Sequence, residues 1–323
     1  MRKHEILSAY EDYLDVEEAF ESAQPQRMRR RRAEGQTEPT RSGRLTEAEK
    51  VRLERAREDA GPELPDGADR WTTWIDAEQG PHPRPDWVIT DGGAADSDLG
   101  IVKTGKEADV FLLERAAPGG ASCLMAAKRY RGSEHRMFHR DSGYLEGRRM
   151  RRSREMRAIA NRSSFGRNLI AEQWAVAEFA ALSRLWSVGA PVPYPVQRDG
   201  TELLLEFLGD ADGQAAPRLA QLRPEPDEAL ELWEQLLTAL ELMAAQGLTH
   251  GDLSAYNLLV HDGHIVLIDL PQVVDLVANP AGRQFLVRDV TSVATWFRGR
   301  GLPEPLVDPL IVAERLMSAA GLE

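Results

Sequence analysis

The chain has 323 residues, 42% of them apolar and 28% charged; that length exceeds what a single core usually supports, and that composition excludes wholesale disorder. Forty Lys and Arg against 52 Asp and Glu give a net charge of −12, so the average field repels nucleic acid and any basic contact is local. A lone cysteine, Cys123, excludes an internal disulfide framework or cysteine zinc cluster, and no apolar run nears the ~20 residues of a bilayer span, so a cytoplasmic chain without membrane contact is expected.

Residues 1–69 read as a charged, largely disordered tail. Ile6, Tyr10, Tyr13 and Phe20 recur there at near-helical spacing, Thr46 and Glu49 match a capping box, and a basic run covers 27–32. Residues 70–97 form a strap: Pro81, Pro83 and Pro85 impose an extended path, while Trp71, Trp74 and Trp87 offer apolar area for docking. From 98 to 207 the pattern is one of short strands (LGIVKTG, ADVFLLER, CLMAAKRY), then an arginine-rich loop over 132–167, a helix over 168–189, and a hairpin turning at Asp199-Gly200. Within that helix, Leu169, Trp174, Phe179, Leu182 and Leu185 share a side. Residues 208–323 are mostly helical. Asp227 caps a helix whose inner face carries Leu230, Trp233, Leu237, Leu240 and Met243, two short strands flank a His-Asp-Gly turn, and helices over about 281–299 and 304–320 follow. The expected architecture is α+β and two-lobed, with a small antiparallel sheet and a mostly helical second half.

The segment T-H-G-D-L-S-A-Y-N (249–257), with Ile268-Asp269 at the end of an apolar strand, brings two carboxylates and an amide toward one edge. Asp252 suits the orientation of an attacking hydroxyl, and Asn257 and Asp269 supply hard oxygen donors for magnesium bound to a phosphate chain. Gly105, between two predicted strands, lets backbone amides approach phosphates. Lys128 on the third strand needs a carboxylate partner, and Glu178 is preferred to Glu172 because apolar residues flank it.

These motifs together resemble the RIO family of atypical serine/threonine protein kinases. The resemblance rests on T-G-K-E-A-D-V (104–110), A-K-R-Y (127–130), W-A-x-x-E (174–178), H-G-D-L-S-x-Y-N (250–257), I-D-L-P-Q (268–272) and F-L-x-R-D (285–289), and covers residues 98–300. It implies a protein-kinase-like fold with a truncated second lobe, and ATP with Mg2+ or Mn2+ as cofactors. The nucleotide is then held by Thr104, Gly105, Lys106, Glu107, Ala108 and Val110, by Lys128 paired with Glu178, and by a hinge of Glu206, Phe207 and Leu208. Asp252 is the catalytic aspartate; Asn257 and Asp269 bind the metal, and Ser254 stands where ordinary protein kinases carry a lysine.

Gly251 in place of arginine removes the clamp for a phosphorylated activation loop, and Leu270-Pro271 replaces Phe-Gly. The absence of an Ala-Pro-Glu segment removes a peptide platform and raises ATP hydrolysis, with phosphoryl transfer to Asp269 as one route. Asp109, where the family commonly has asparagine, is expected to add negative charge near the phosphates. The acceptor is a protein hydroxyl, including one of its own, or water. Two alternatives remain: a small-molecule phosphotransferase of the aminoglycoside or choline kinase type, and a nucleotide-sensing factor that meets a ribosomal particle or RNA through Arg27–Arg32 and Arg148–Arg157.

Overall fold

The computed structural model describes residues 63–131 and 164–322, together with 46, 48–52 and 55; in the second stretch side chains are described from 170 onward. The periodic positions before residue 21, both arginine clusters and Leu169's side chain lie outside the described residues. Thr46 forms the expected box: its N–H and Oγ1 each donate to Glu49 Oε2 at 2.8 Å, and the Glu49 N–H donates back to Thr46 Oγ1 at 3.3 Å.

Seven strands make one antiparallel sheet: β1 (Arg70–Trp71), β2 (Glu78–Gln79), β3 (Ala95–Thr104), β4 (Ala108–Ala116), β5 (Ser122–Tyr130), β6 (Pro195–Asp199) and β7 (Glu202–Glu206). Their order across the sheet is β1-β3-β4-β5-β7-β6-β2. Side chains alternate between its faces, as a strand's twofold period requires. Ala126, Lys128 and Tyr130 of β5 and Leu203 and Leu205 of β7 face the helical side, whereas Met125, Ala127 and Leu204 join a second core with Trp74, Val88, Leu113, Tyr194 and Val196.

That second core lies under the strap, which belongs to the sheet rather than resting on it. Its first end pairs with β3 and its second with β6, so residues 70–79 run from one sheet edge to the other. The expected boundary at 97/98 therefore falls inside β3. Trp74 is fully buried, the Tyr194 hydroxyl donates to the Pro81 carbonyl at 2.9 Å, and Trp87 packs edge-on against Tyr194. Beneath them Arg115, fully buried, donates two bonds to Asp96 at 2.7 and 2.9 Å and one to Gln197 at 2.9 Å.

Helix α1 (Ser164–Ser187) begins four residues before the expected start and closes at Gly189, whose φ of +77° suits a glycine. The second lobe follows as α2 (Pro226–Ala245), β8 (Leu248–Thr249), β9 (Leu258–His261), β10 (His264–Leu267), β11 (Val274–Asp275), α3 (Gly282–Arg298) and α4 (Pro309–Ala319), with single 3-10 turns at Leu219–Gln221 and Glu304–Leu306. Asp227 does not cap α2. Glu225 holds that position and Pro226 opens the helix, which moves Asp227 into the first turn, where its charge faces the positive end of the dipole. β9 and β10 turn through Asp262 and Gly263, both at positive φ, the pairing a tight two-residue hairpin demands. The main core runs from Trp174, Phe179 and Leu182 on α1 to Trp233 on α2 and Phe297 on α3. Among the described residues, no helix is long and apolar enough to cross a membrane.

Candidate active site

Between sheet and helices lies a cleft of about 1600 Å³. Its roof starts at the β3–β4 turn, where the Gly105 N–H donates to the Ala108 carbonyl at 2.9 Å and a β-carbon on Gly105 would stand 2.6 Å from that oxygen. Thr104, Gly105, Lys106, Glu107, Ala108 and Val110 all line the cleft. Asp109 does not present the loose charge expected of it: Arg131 binds it through two bonds, of 2.9 and 2.5 Å.

Lys128 is buried in the cleft and paired twice. It is 8% exposed, and its Nζ donates to Glu178 Oε1 at 2.6 Å and to Asp269 Oδ1 at 2.7 Å, tying β5 to α1 and to the chain after β10. Burial alone would lower its pKa, but the two carboxylates raise it instead. Glu178 is fully used, since its other oxygen accepts from the Tyr130 hydroxyl and Oε1 also takes the Leu270 N–H at 3.1 Å. Glu172, the rival on the same helix, is exposed. Asp269 sits at φ +69°, a left-handed conformation that aspartate tolerates better than most residues. The Lys128 charge beside it lowers its carboxyl pKa from 3.8 to about 2 against the opposing effect of burial.

The back of the cleft is the hinge. Glu206 takes part in the sheet and its N–H donates to the Tyr194 carbonyl at 2.8 Å; Leu208 gives its carbonyl to the Ala216 N–H at 2.8 Å. Glu206, Phe207 and Leu208 all line the cavity.

The floor is the loop between β8 and β9. Gly251 has φ +82°, and a β-carbon there would meet the Gln272 carbonyl at 2.1 Å, so this backbone has no room for the arginine of ordinary kinases. Asp252 lines the cleft with 70% of its side chain exposed. Its loop is held from α3 by Asp289, nearly buried, which accepts from Thr249 Oγ1 at 2.8 Å, the Gly251 N–H at 2.7 Å and the Leu253 N–H at 3.0 Å. The neighbouring Arg288 donates to the Gly251 carbonyl, and its guanidinium lies 3.8 Å from Asp252 Oδ1. His250 Nε2 reaches the Ile268 carbonyl at 3.1 Å, coupling this loop to the residue before Asp269.

Asn257 is the one expected site residue that does not line the cavity. It is 9% exposed, and its Nδ2 donates to the Asp252 carbonyl at 2.9 Å. Sequence reading gave no role to Arg288, Asp289 or Arg218, although F-L-x-R-D was part of the pattern; their signal was a charged pair in an amphipathic helix and an arginine in a polar loop. Arg218 lines the cleft and donates to the Tyr256 carbonyl at 2.5 Å.

A family model described as the RIO domain matches residues 125–309, more than half of the chain. The chain belongs to the RIO family. This RIO chain is 36% identical over 217 residues to the RIO-type serine/threonine-protein kinase Rio1 of Haloferax volcanii, covering 67% of the chain and 68% of that relative. It is 33% identical over 216 residues to serine/threonine-protein kinase RIO3 of Caenorhabditis elegans, covering 65% of the chain and 38% of that larger protein. The crystal structure of the Rio2 kinase from Chaetomium thermophilum aligns with 69% of the chain and 67% of its own at 23% identity and a TM-score of 0.45. The antiparallel sheet and helical second lobe of this RIO chain form the kinase-like α+β fold its motifs imply.

Proposed function

We propose that the cleft binds ATP with a divalent cation and transfers the γ-phosphoryl group to a protein hydroxyl, including one of the chain's own, or to water. The observation that carries this reading is the convergence of three charged groups on one cavity: Lys128 fixed by Glu178, Asp269 held by Lys128, and exposed Asp252 on a braced loop.

In this reading the adenine lies against the hinge, and the β3–β4 turn offers backbone amides to the phosphates. Lys128 presents its charge to the α- and β-phosphates once Asp269 turns to the cation. Asp269 and Asn257 would hold that cation; the donor set fits, since both supply hard oxygens and the bond from Asn257 Nδ2 to the Asp252 carbonyl commits its amide nitrogen to the loop, so the oxygen is the donor for a cation. Bound Mg2+ would neutralise charge on the phosphate oxygens. Asp252 orients the acceptor hydroxyl or water and accepts its proton.

Calorimetric titration tests the cation site. Asp269→Asn is expected to weaken Mg-dependent ATP binding by at least about tenfold, with the two proteins alike when EDTA removes the metal. A variant that binds Mg-ATP as tightly as the parent would remove Asp269 from that role.

A further inference from the structure

The proposed base, Asp252, creates an electrostatic problem. It is an exposed carboxylate, and the segment 250–257 that carries it contains no Lys or Arg. A γ-phosphate arriving beside it brings more negative charge, and the charge spreads over the equatorial oxygens as the group transfers. Three other cations of the cleft are held by partners, Lys128 by Glu178 and Asp269, Arg131 by Asp109, and Arg218 by the Tyr256 carbonyl, while Lys103 and Lys106 line it at the β3–β4 end. Among the described residues, Arg288 is the cation within 4 Å of the Asp252 carboxylate.

We propose that Arg288 is a catalytic residue, an arginine supplied by the chain itself that touches the phosphoryl group as it passes from ATP to the acceptor beside Asp252. The inference rests on the reading of the cleft as a phosphoryl-transfer site. Four features place the guanidinium for that task. One Nη2 bond anchors it to the Gly251 carbonyl, next to the base. Its side chain is still 58% exposed and lines the cleft, so the rest of a planar fork with five N–H donors faces the cavity. Phe285, one turn earlier on α3, lies under the guanidinium at 5.2 Å from its ring centre. Asp289, adjacent in sequence, holds the same loop through three bonds, so arginine and base are fixed to each other before substrate arrives, as preorganised charge stabilisation requires.

In the step itself the acceptor oxygen bonds to the γ-phosphorus and gives its proton to Asp252. The bond from that phosphorus to the β,γ-bridging oxygen breaks, its electron pair leaves with ADP, and Asp252 later returns the proton to water. Arg288 neither gains nor loses a proton; it donates hydrogen bonds to the equatorial oxygens.

The test compares Arg288→Lys, Arg288→Gln and Arg288→Ala in the full chain, measuring turnover of Mg-ATP, calorimetric affinity for Mg-ATP, and Tm. Glutamine keeps a donor for the Gly251 carbonyl without the charge. Turnover is expected to fall at least about 1000-fold in Arg288→Gln and Arg288→Ala, within the range of arginines that serve phosphoryl transfer, with affinity and Tm close to the parent. Lysine should retain more activity than glutamine, and added guanidinium should restore part of the activity of Arg288→Ala. Parental turnover in Arg288→Gln would overturn the proposal and leave Arg288 as a brace for the loop, and so would losses explained by a lowered Tm with no guanidinium response. If Arg288→Ala does not fold, the lysine and glutamine pair decides alone. A parent that binds no Mg-ATP overturns the phosphoryl-transfer reading and this inference together, whereas an active parent unaffected by Arg288→Gln overturns only the inference.

Discussion

Lys128 meets two carboxylates within 2.7 Å because two segments distant in sequence deliver them to β5, and each contact has a different consequence. Glu178 is buried, shares its oxygens with Tyr130 and the Leu270 amide, and acts as the fixed partner. Asp269 keeps 40% of its side chain exposed and is the more accessible of the two partners. Its folded-state pKa is about 2 against 3.8 for the free group, lowered first by the Lys128 charge. A depressed carboxyl contributes stability that is fully present above 3.8 and is lost as pH falls through about 2. The stability difference between the parent and Asp269→Asn, measured by denaturant unfolding, should accordingly shrink as pH is lowered from 5 toward 2.5; a difference independent of pH would contradict the pairing. The choice of Glu178 over Glu172 was legible because its neighbours are apolar and a buried lysine needs a buried partner. The neutralisation of Asp109 was not, since Arg131 follows directly on β5 and nothing in the spacing shows that the two strands bring them together. The roles of Arg288 and Asp289 were hidden for the same reason: their partners lie 36 to 40 residues away.

Strands and helices were legible where their hydrophobic period is long, as in β3 to β5, the β6–β7 hairpin and α2. The strap was not, because β1 and β2 are two residues each and have no period to read. What defines them is tertiary: the strap ends pair with opposite sheet edges while Trp74 fills the second core between them. Pairing covers edge strands that would otherwise offer unpaired amides. Trp74→Ala is predicted to destabilise the chain by about 3–5 kcal/mol, the usual cost of emptying a buried tryptophan site, and thermal or denaturant unfolding would measure it. A loss below about 1 kcal/mol would mean that the strap packs on the sheet without supporting it. Gly251 works at the same scale. Its positive φ and the Gln272 carbonyl behind it shape the floor loop, so the lost kinase arginine is a matter of backbone path as well as regulation.

The whole molecule sets a net charge of −12 against the anionic nucleotide proposed as its ligand, so in that reading local cations must overcome an unfavourable average field. Lys103, Lys106, Lys128, Arg131, Arg218 and Arg288 all line the cleft, where they offset the carboxylates of Glu107, Glu178, Glu206, Asp252 and Asp269. Membership of the RIO family places this cleft beside relatives named as serine/threonine kinases, while the chain spans about two thirds of the archaeal relative and 38% of the worm protein. Acceptor and partners therefore belong to the proposal. The central claim is that Asp252 drives phosphoryl transfer from ATP. The most direct measurement incubates the parent and Asp252→Ala with γ-labelled ATP and magnesium, following free phosphate and protein-bound label together and titrating ATP affinity alongside. The account predicts that combined transfer falls by roughly 10²- to 10⁴-fold in the variant while ATP binding is retained; turnover equal to the parent's would contradict it.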